Sequence, residues 1–197
     1  MSLRSALSAL FLAATLAPGA ASAATYQVDS SHTRVGFAVT HMMVSTVRGE
    51  FGTFSGTVEY DPKNVAATKV SGKVTVSSVD TRDGKRDDHL RSADFFDAVG
   101  FPEMTFTSKA VKNVTPQGFD LVGDLTIRGV TKEVTLKVAA FSPEYKDPWG
   151  NYKVGTRATT VINRKDFGVN WNANLDQGGV VVGDEVTIEL DVELGRK

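Results

Sequence analysis

The chain has 197 residues, 22 basic and 23 acidic side chains, a formal net charge of −1 and no cysteine. Balanced charge without a basic stripe excludes a surface built for nucleic acid or anionic headgroups. Without cysteine there are no disulfides, thiolate nucleophiles or cysteine-ligated metals, so the fold must be held by burial alone.

The N-terminus reads MSLRSALSALFLAATLAPGAASA. Arg4 precedes an apolar run from Ala6 to Ala17, Pro18-Gly19 break it, and Ala21-Ser22-Ala23 forms an A-x-A cleavage site. That layout predicts a signal peptide over residues 1–23 and a mature domain over 24–197. A membrane anchor needs roughly 20 apolar residues, which neither this run nor any later segment supplies. An exported chain without stable membrane insertion is expected.

Strand patterns dominate the mature domain. Val35, Phe37 and Val39 alternate with Arg34, Gly36 and Ala38, and His41 keeps their parity, so it is expected to face inward near one barrel mouth. A buried imidazole there needs a partner from protein, water or a ligand headgroup. Phe54, Val58 and Tyr60 form the next apolar face, closed by Asp61-Pro62, and Val70, Val74 and Val76 repeat the pattern.

Asp80, Asp83, Asp87 and Asp88 lack calcium-loop spacing and are interleaved with Arg82, Lys85 and Arg86. Asp87 and Asp88 suit the N-terminus of a helix instead. Leu90, Ala93 and Phe96 recur three apart, which predicts a helical insert near residues 86–98 ending before Phe101-Pro102.

Met104 and Phe106 then alternate with threonines. Phe119, Leu121, Leu125 and Ile127 follow, and then Val134, Leu136 and Val138. Val154, Thr156, Ala158 and Thr160 make a smaller inner face. Val186, Ile188, Leu190, Val192 and Leu194 form the cleanest alternation of all. Pro116-Gln117-Gly118, Arg128-Gly129 and Pro148-Trp149-Gly150 mark turns. One apolar face per strand means an antiparallel sheet wrapped on one core. The pattern fits equally a closed barrel holding a ligand and a sandwich filled by its own side chains. Gly56, Gly72 and Gly123 share the inward parity and would leave space.

Catalytic signals are missing. His32, His41 and His89 are scattered, with no zinc spacing. GTFSG at Gly52–Gly56 is out of register for a nucleophile elbow, and GVTKE from Gly129 leads into a strand and not a helix. Arg128 and Arg164 are read as tethers of their turns through carboxylates such as Asp124 or Asp166, with contact to a ligand head as the alternative.

The run HLRSADFFDAVGFPEMTF from His89 to Phe106 resembles a signature of the YceI-like family. VDSSHTRVGFAVTHM (Val28–Met42), SVDTRDGKRDDHL (from Ser78), GDLTIRGVTKEVTL (Gly123–Leu136) and INRKDFGV (Ile162–Val169) extend the resemblance in order. It implies an all-β fold, an extended lipocalin-like antiparallel barrel of about eight strands with the short helical insert. It also implies a non-catalytic function without cofactor or metal: binding a long isoprenoid-type lipid, such as an isoprenoid quinone, prenyl alcohol or prenyl phosphate, in the periplasm. A homodimer is compatible with it. The expected ligand wall is Val35, Phe37, Val39, Phe54, Val58, Val74, Val76, Phe96, Phe106, Leu121, Leu125, Leu136, Ile188 and Leu190, with His41 at the mouth. The rival expectation is a filled barrel acting through its surface.

Overall fold

The alternating runs of apolar and polar residues become strands that make up more than half of residues 23–197, which the computed structural model describes. Twelve strands occur among the described residues. They are β1 (Ala24–Val28), β2 (Arg34–His41), β3 (Ser45–Phe51), β4 (Phe54–Tyr60), β5 (Lys69–Thr75) and β6 (Val79–Asp80). A helix, α1 (Gly84–Arg91), separates these from β7 (Glu103–Thr115), β8 (Gly118–Ile127), β9 (Val130–Ala139), β10 (Tyr145–Lys146), β11 (Tyr152–Asn163) and β12 (Val182–Arg196). The expected signal segment lies outside the described residues except for Ala23. No helix among the described residues is long and apolar enough to cross a membrane.

The strands close into an eight-position antiparallel ring. β1 and β2 lie end to end along one edge of β12, so together they fill a single position. β3 and β4 likewise continue one another, pairing with β2 and β1 respectively. β5 and β6 share the next position, and β7, β8 and β9 follow as hairpins. β11 closes the ring by pairing with β12 from Lys153↔Gly195 to Asn163↔Glu185. Its other seam, to β9, holds only Ala158↔Val138 and Thr159↔Lys137. Ring closure gives each position of the barrel a neighbour on both sides, which an open sheet lacks at its two edges, although the β9–β11 seam is paired over only two residues. The β8–β9 hairpin turns on Arg128 and Gly129, both left-handed at φ 49° and 71°. A side chain at Gly129 would also strike the Phe101 ring, 2.7 Å from the added Cβ.

The insert differs from expectation in three respects. Its helix stops at Arg91 instead of running to residue 98, because the Ser92 hydroxyl and amide both bond to the His89 carbonyl. The spacing of Leu90, Ala93 and Phe96 comes instead from stacked turns, with the Phe96 amide donating to Leu90 O and the Ala98 amide to Arg91 O. The N-cap is Asp83, whose carboxylate accepts from the Lys85 and Arg86 amides. Asp87 is buried and accepts from the Thr81 amide and hydroxyl at 2.9 and 2.6 Å, while Asp88 pairs with Arg91. Val76 also leaves the expected strand. It opens the short 3-10 turn Val76–Ser78, where the alternation of faces ends.

Candidate functional site

The buried residues form a shell and do not fill the barrel. Phe51, Val79, Phe95, Ile127 and Phe167 pack beneath the insert, Leu121, Leu136 and Ala158 along the middle, and Tyr26, Val58, Val154 and Leu194 at the other end. Between them lies a cavity of about 300 Å³ with an almost wholly apolar lining.

Thirteen of the fifteen residues expected at the site line it. Val35, Phe37 and Val39 come from β2, Phe54 and Val58 from β4, and Val74 from β5. Phe106, Leu121, Leu125 and Leu136 come from β7 to β9, Ile188 and Leu190 from β12, and Phe96 from the insert. Two of the expected residues do not reach it. Val76 is buried under the insert, since its 3-10 turn redirects the side chain into solid core. His41 keeps its parity but is the last residue of β2, paired with Ser45 and Val182, and lies outside the lining.

Glycine parity is also only partly translated into space. Gly56 and Gly72 face one another in register across β4 and β5, and both line the cavity. A Cβ at Gly72 would find its nearest heavy atom, Ser55 O, 3.8 Å away. At Gly123 the room is already taken, because the Phe106 ring lies 2.5 Å from where a Cβ would stand.

Aromatic side chains stop both ends. At the insert end Phe96 meets Phe51 edge-on at 5.9 Å, and His89 stands edge-on to both Phe95 and Trp171 at 4.9 Å. At the opposite end Phe141 stacks on Tyr60 at 4.2 Å. Phe95 and Phe141 escaped the sequence reading, because neither belongs to an alternating run; the apolar insert was the only hint of Phe95.

Arg128 and Arg164 are tethers, as expected, but to carbonyls and not to Asp124 or Asp166. Arg128 Nη1 donates to Phe95 O at 2.7 Å and Gly168 O at 3.3 Å, fixing the insert to the end of the barrel. Arg164 is buried and donates to Gly183 O, Val169 O, Trp171 O and Val182 O. Burial pulls its pKa down, and Asp184 at 3.6 Å partly opposes this. Asp124 pairs with Lys109 instead. No Asp, Glu or His lines the cavity among the described residues. Its two basic residues are Arg164, committed to carbonyls, and Lys73, whose ammonium pairs outward with Glu103. The interior therefore suits an apolar tail and offers no free charge to a phosphate.

Outside the cavity, Asp29, His32 and Glu193 bring ligating atoms within 4.8 Å of one another. Lys153 already joins this group, reaching Glu193 at 3.1 Å and bonding Asp29, so it is an ion-pair network at the β1–β2 bend. His32 hydrogen-bonds as expected, but at this bend in the barrel wall and not at a barrel end. The Lys153 bond, then that of Ser31, holds the Asp29 carboxyl far below the usual carboxylate range. A depressed folded pKa stabilises above the unfolded value of ~3.9 and is lost as pH falls through the folded one. Asp29→Asn should therefore cost about 1–2 kcal/mol at pH 6. Thermal unfolding of variant and parent should converge as the pH is lowered below ~3. A gap that persists unchanged in acid would refute the assignment.

The YceI-like domain family matches residues 26–194. A UPF0312 protein of Shewanella baltica is 41% identical over 193 residues, covering 97% of both chains. One from Ectopseudomonas mendocina is 41% identical over 169 residues, 85% of this chain and 88% of that one. Among solved structures, BcnA of Burkholderia cenocepacia superposes with a TM-score of 0.74 at 26% identity, covering 84% of this chain and 98% of its own. A polyisoprenoid-binding domain from Saccharophagus degradans shares the fold at a TM-score of 0.63 and 15% identity, over 89% of this chain and 99% of its own.

Proposed function

Because this chain belongs to the YceI-like family, we propose that it binds a long isoprenoid-type lipid, tail inward, inside its barrel. The observation that carries this reading is the apolar cavity, flanked at both ends by aromatic rings and free of uncommitted charge among the described residues. The polyisoprenoid binding of the Saccharophagus neighbour supports the same class of ligand. Each ~100 Å² of prenyl surface taken from water contributes ~2.5 kcal/mol before the costs of association. The lining offers a headgroup no uncommitted charge, so a neutral quinone or alcohol suits the site better than a prenyl phosphate. The leader over residues 1–23 supports export, and we assign the protein to the periplasm as a lipid carrier or store. We propose binding without catalysis, which fits the YceI-like family and the polyisoprenoid-binding neighbour.

The test is native mass spectrometry of the exported protein, followed by solvent extraction and lipid identification. A stoichiometric prenyl lipid is the expected result. A mass that stays bare when isoprenoid quinones and polyprenols are offered would overturn the reading in favour of a barrel acting through its surface.

A further inference from the structure

The end of the cavity remote from the insert is stopped by a residue that belongs to no barrel strand. After β9 the chain crosses that end as Ala140–Glu144 before forming β10. Phe141 points from this crossing into the cavity. Its ring lies between two others, 4.2 Å from Tyr60 with planes 21° apart and 6.3 Å from Phe119 with planes 11° apart. Ala140, Pro143 and Glu144 on either side are exposed, so this crossing is the outer skin of the molecule here.

The crossing is pinned independently of that ring. The Ala140 amide donates to Gln117 O and the Ser142 amide to Gly155 O, both at 2.8 Å. The Ser142 hydroxyl accepts from the Gly155 amide at 2.9 Å. Glu144 accepts from the Tyr26 hydroxyl at 2.7 Å and pairs with Arg196 at 3.1 Å. Removing the Phe141 ring therefore removes the stopper and leaves its mounting in place.

Polarity gives the direction of the tail. The insert end carries the buried guanidinium of Arg164 and the carbonyls it bridges. Around Phe141 the lining is Val28, Val58, Val192 and Leu194, and the nearby Thr33 and Thr156 have their hydroxyls committed to the Glu193 and Ala139 carbonyls. The head belongs at the insert end and the last isoprene unit against Phe141. Resting on the lipid-binding reading above, we infer that Phe141 sets the longest tail the cavity accepts. Affinity then rises with each buried isoprene unit until the tail meets the ring, and further units stay in water and add nothing.

The experiment offers the full-length mature protein a ladder of isoprenoid quinones, each longer by one isoprene unit, and reads the bound lengths by native mass spectrometry. The parent should show a sharp upper cut-off. Phe141→Ala should move it up by at least one unit, Phe141→Leu less, and Phe141→Trp should move it down. Glu144→Gln loosens the crossing but keeps the ring, so its cut-off should match the parent's. An unchanged cut-off in the Leu and Trp variants overturns the inference, even if the Ala variant fails to fold. An equal shift in Glu144→Gln also overturns it, since the crossing and not the ring would then be the determinant. Failure of the parent to bind any member would instead overturn the lipid-binding reading itself.

Discussion

Gly72→Leu is expected to leave the barrel folded, at equal or higher thermal stability, while removing most of its lipid uptake. The position is unusual for a glycine in the middle of a strand. Its φ is not left-handed, and an added Cβ would meet nothing closer than Ser55 O at 3.8 Å. A side chain there enters the cavity opposite Gly56, where it gains apolar burial and loses the entropic handicap of glycine. The ligand loses the same space. Each methylene of tail left unburied forfeits about 0.8 kcal/mol, so displacing about four weakens binding on the order of a hundredfold. Thermal unfolding and quinone uptake measured on the same sample decide the matter. Lost uptake with retained stability is the signature of a container. A filled barrel predicts lost stability and no uptake in the parent to lose, since overpacking costs ~1–3 kcal/mol. Gly56→Leu is the wrong variant for this purpose, because its Cβ would come within 2.9 Å of Val28 Cγ2.

The features that sequence made legible are those governed by a fixed period. Phe37, Phe54, Phe106 and Ile188 sit in stretches of strand clear of the register shifts in β7 and β12, so their parity carries to the cavity wall. Parity fails where the strand does. Val76 follows Val74 by two residues but opens a 3-10 turn, and so it faces core instead of cavity. Asp87 lies in the first turn of α1, as its spacing suggested, but spacing cannot show that Thr81 folds back to bond its carboxylate. Phe141 had no signal at all: its place depends on where the chain leaves β9 and re-enters β11, across the thinnest seam of the ring. The filling of the interior was likewise beyond any pattern, since the same alternation serves a solid core and a wall. Whether Gly123 makes space or receives Phe106 is settled only by packing across β7 and β8.

Arg164→Met should be the most destabilising single change at the cavity. Arg164 is 5% exposed, and its guanidinium serves four carbonyls, from Val169, Trp171, Val182 and Gly183, which tie the Arg164–Phe167 turn to the start of β12. Methionine nearly conserves volume, so the cost is chiefly that of stranded acceptors. At ~1–3 kcal/mol for each that stays dry, and with some recovering water at the barrel end, the expected loss is about 3 kcal/mol. For a domain of this size that is roughly 6–12 °C in thermal midpoint. Arg164→Lys should recover only part of it, because a point-like ammonium cannot span carbonyls that the planar fork reaches together. Asp184→Asn should cost little, since that carboxylate is 42% exposed and lies 3.6 Å from the guanidinium. The stability order parent, Asp184→Asn, Arg164→Lys, Arg164→Met is thus the prediction, read by calorimetry on delipidated protein. A Met variant as stable as the parent would show that the carbonyls find other donors. The cap over the insert end would then owe its rigidity to the Arg128 tether and the rings of Phe95, Phe96 and Trp171.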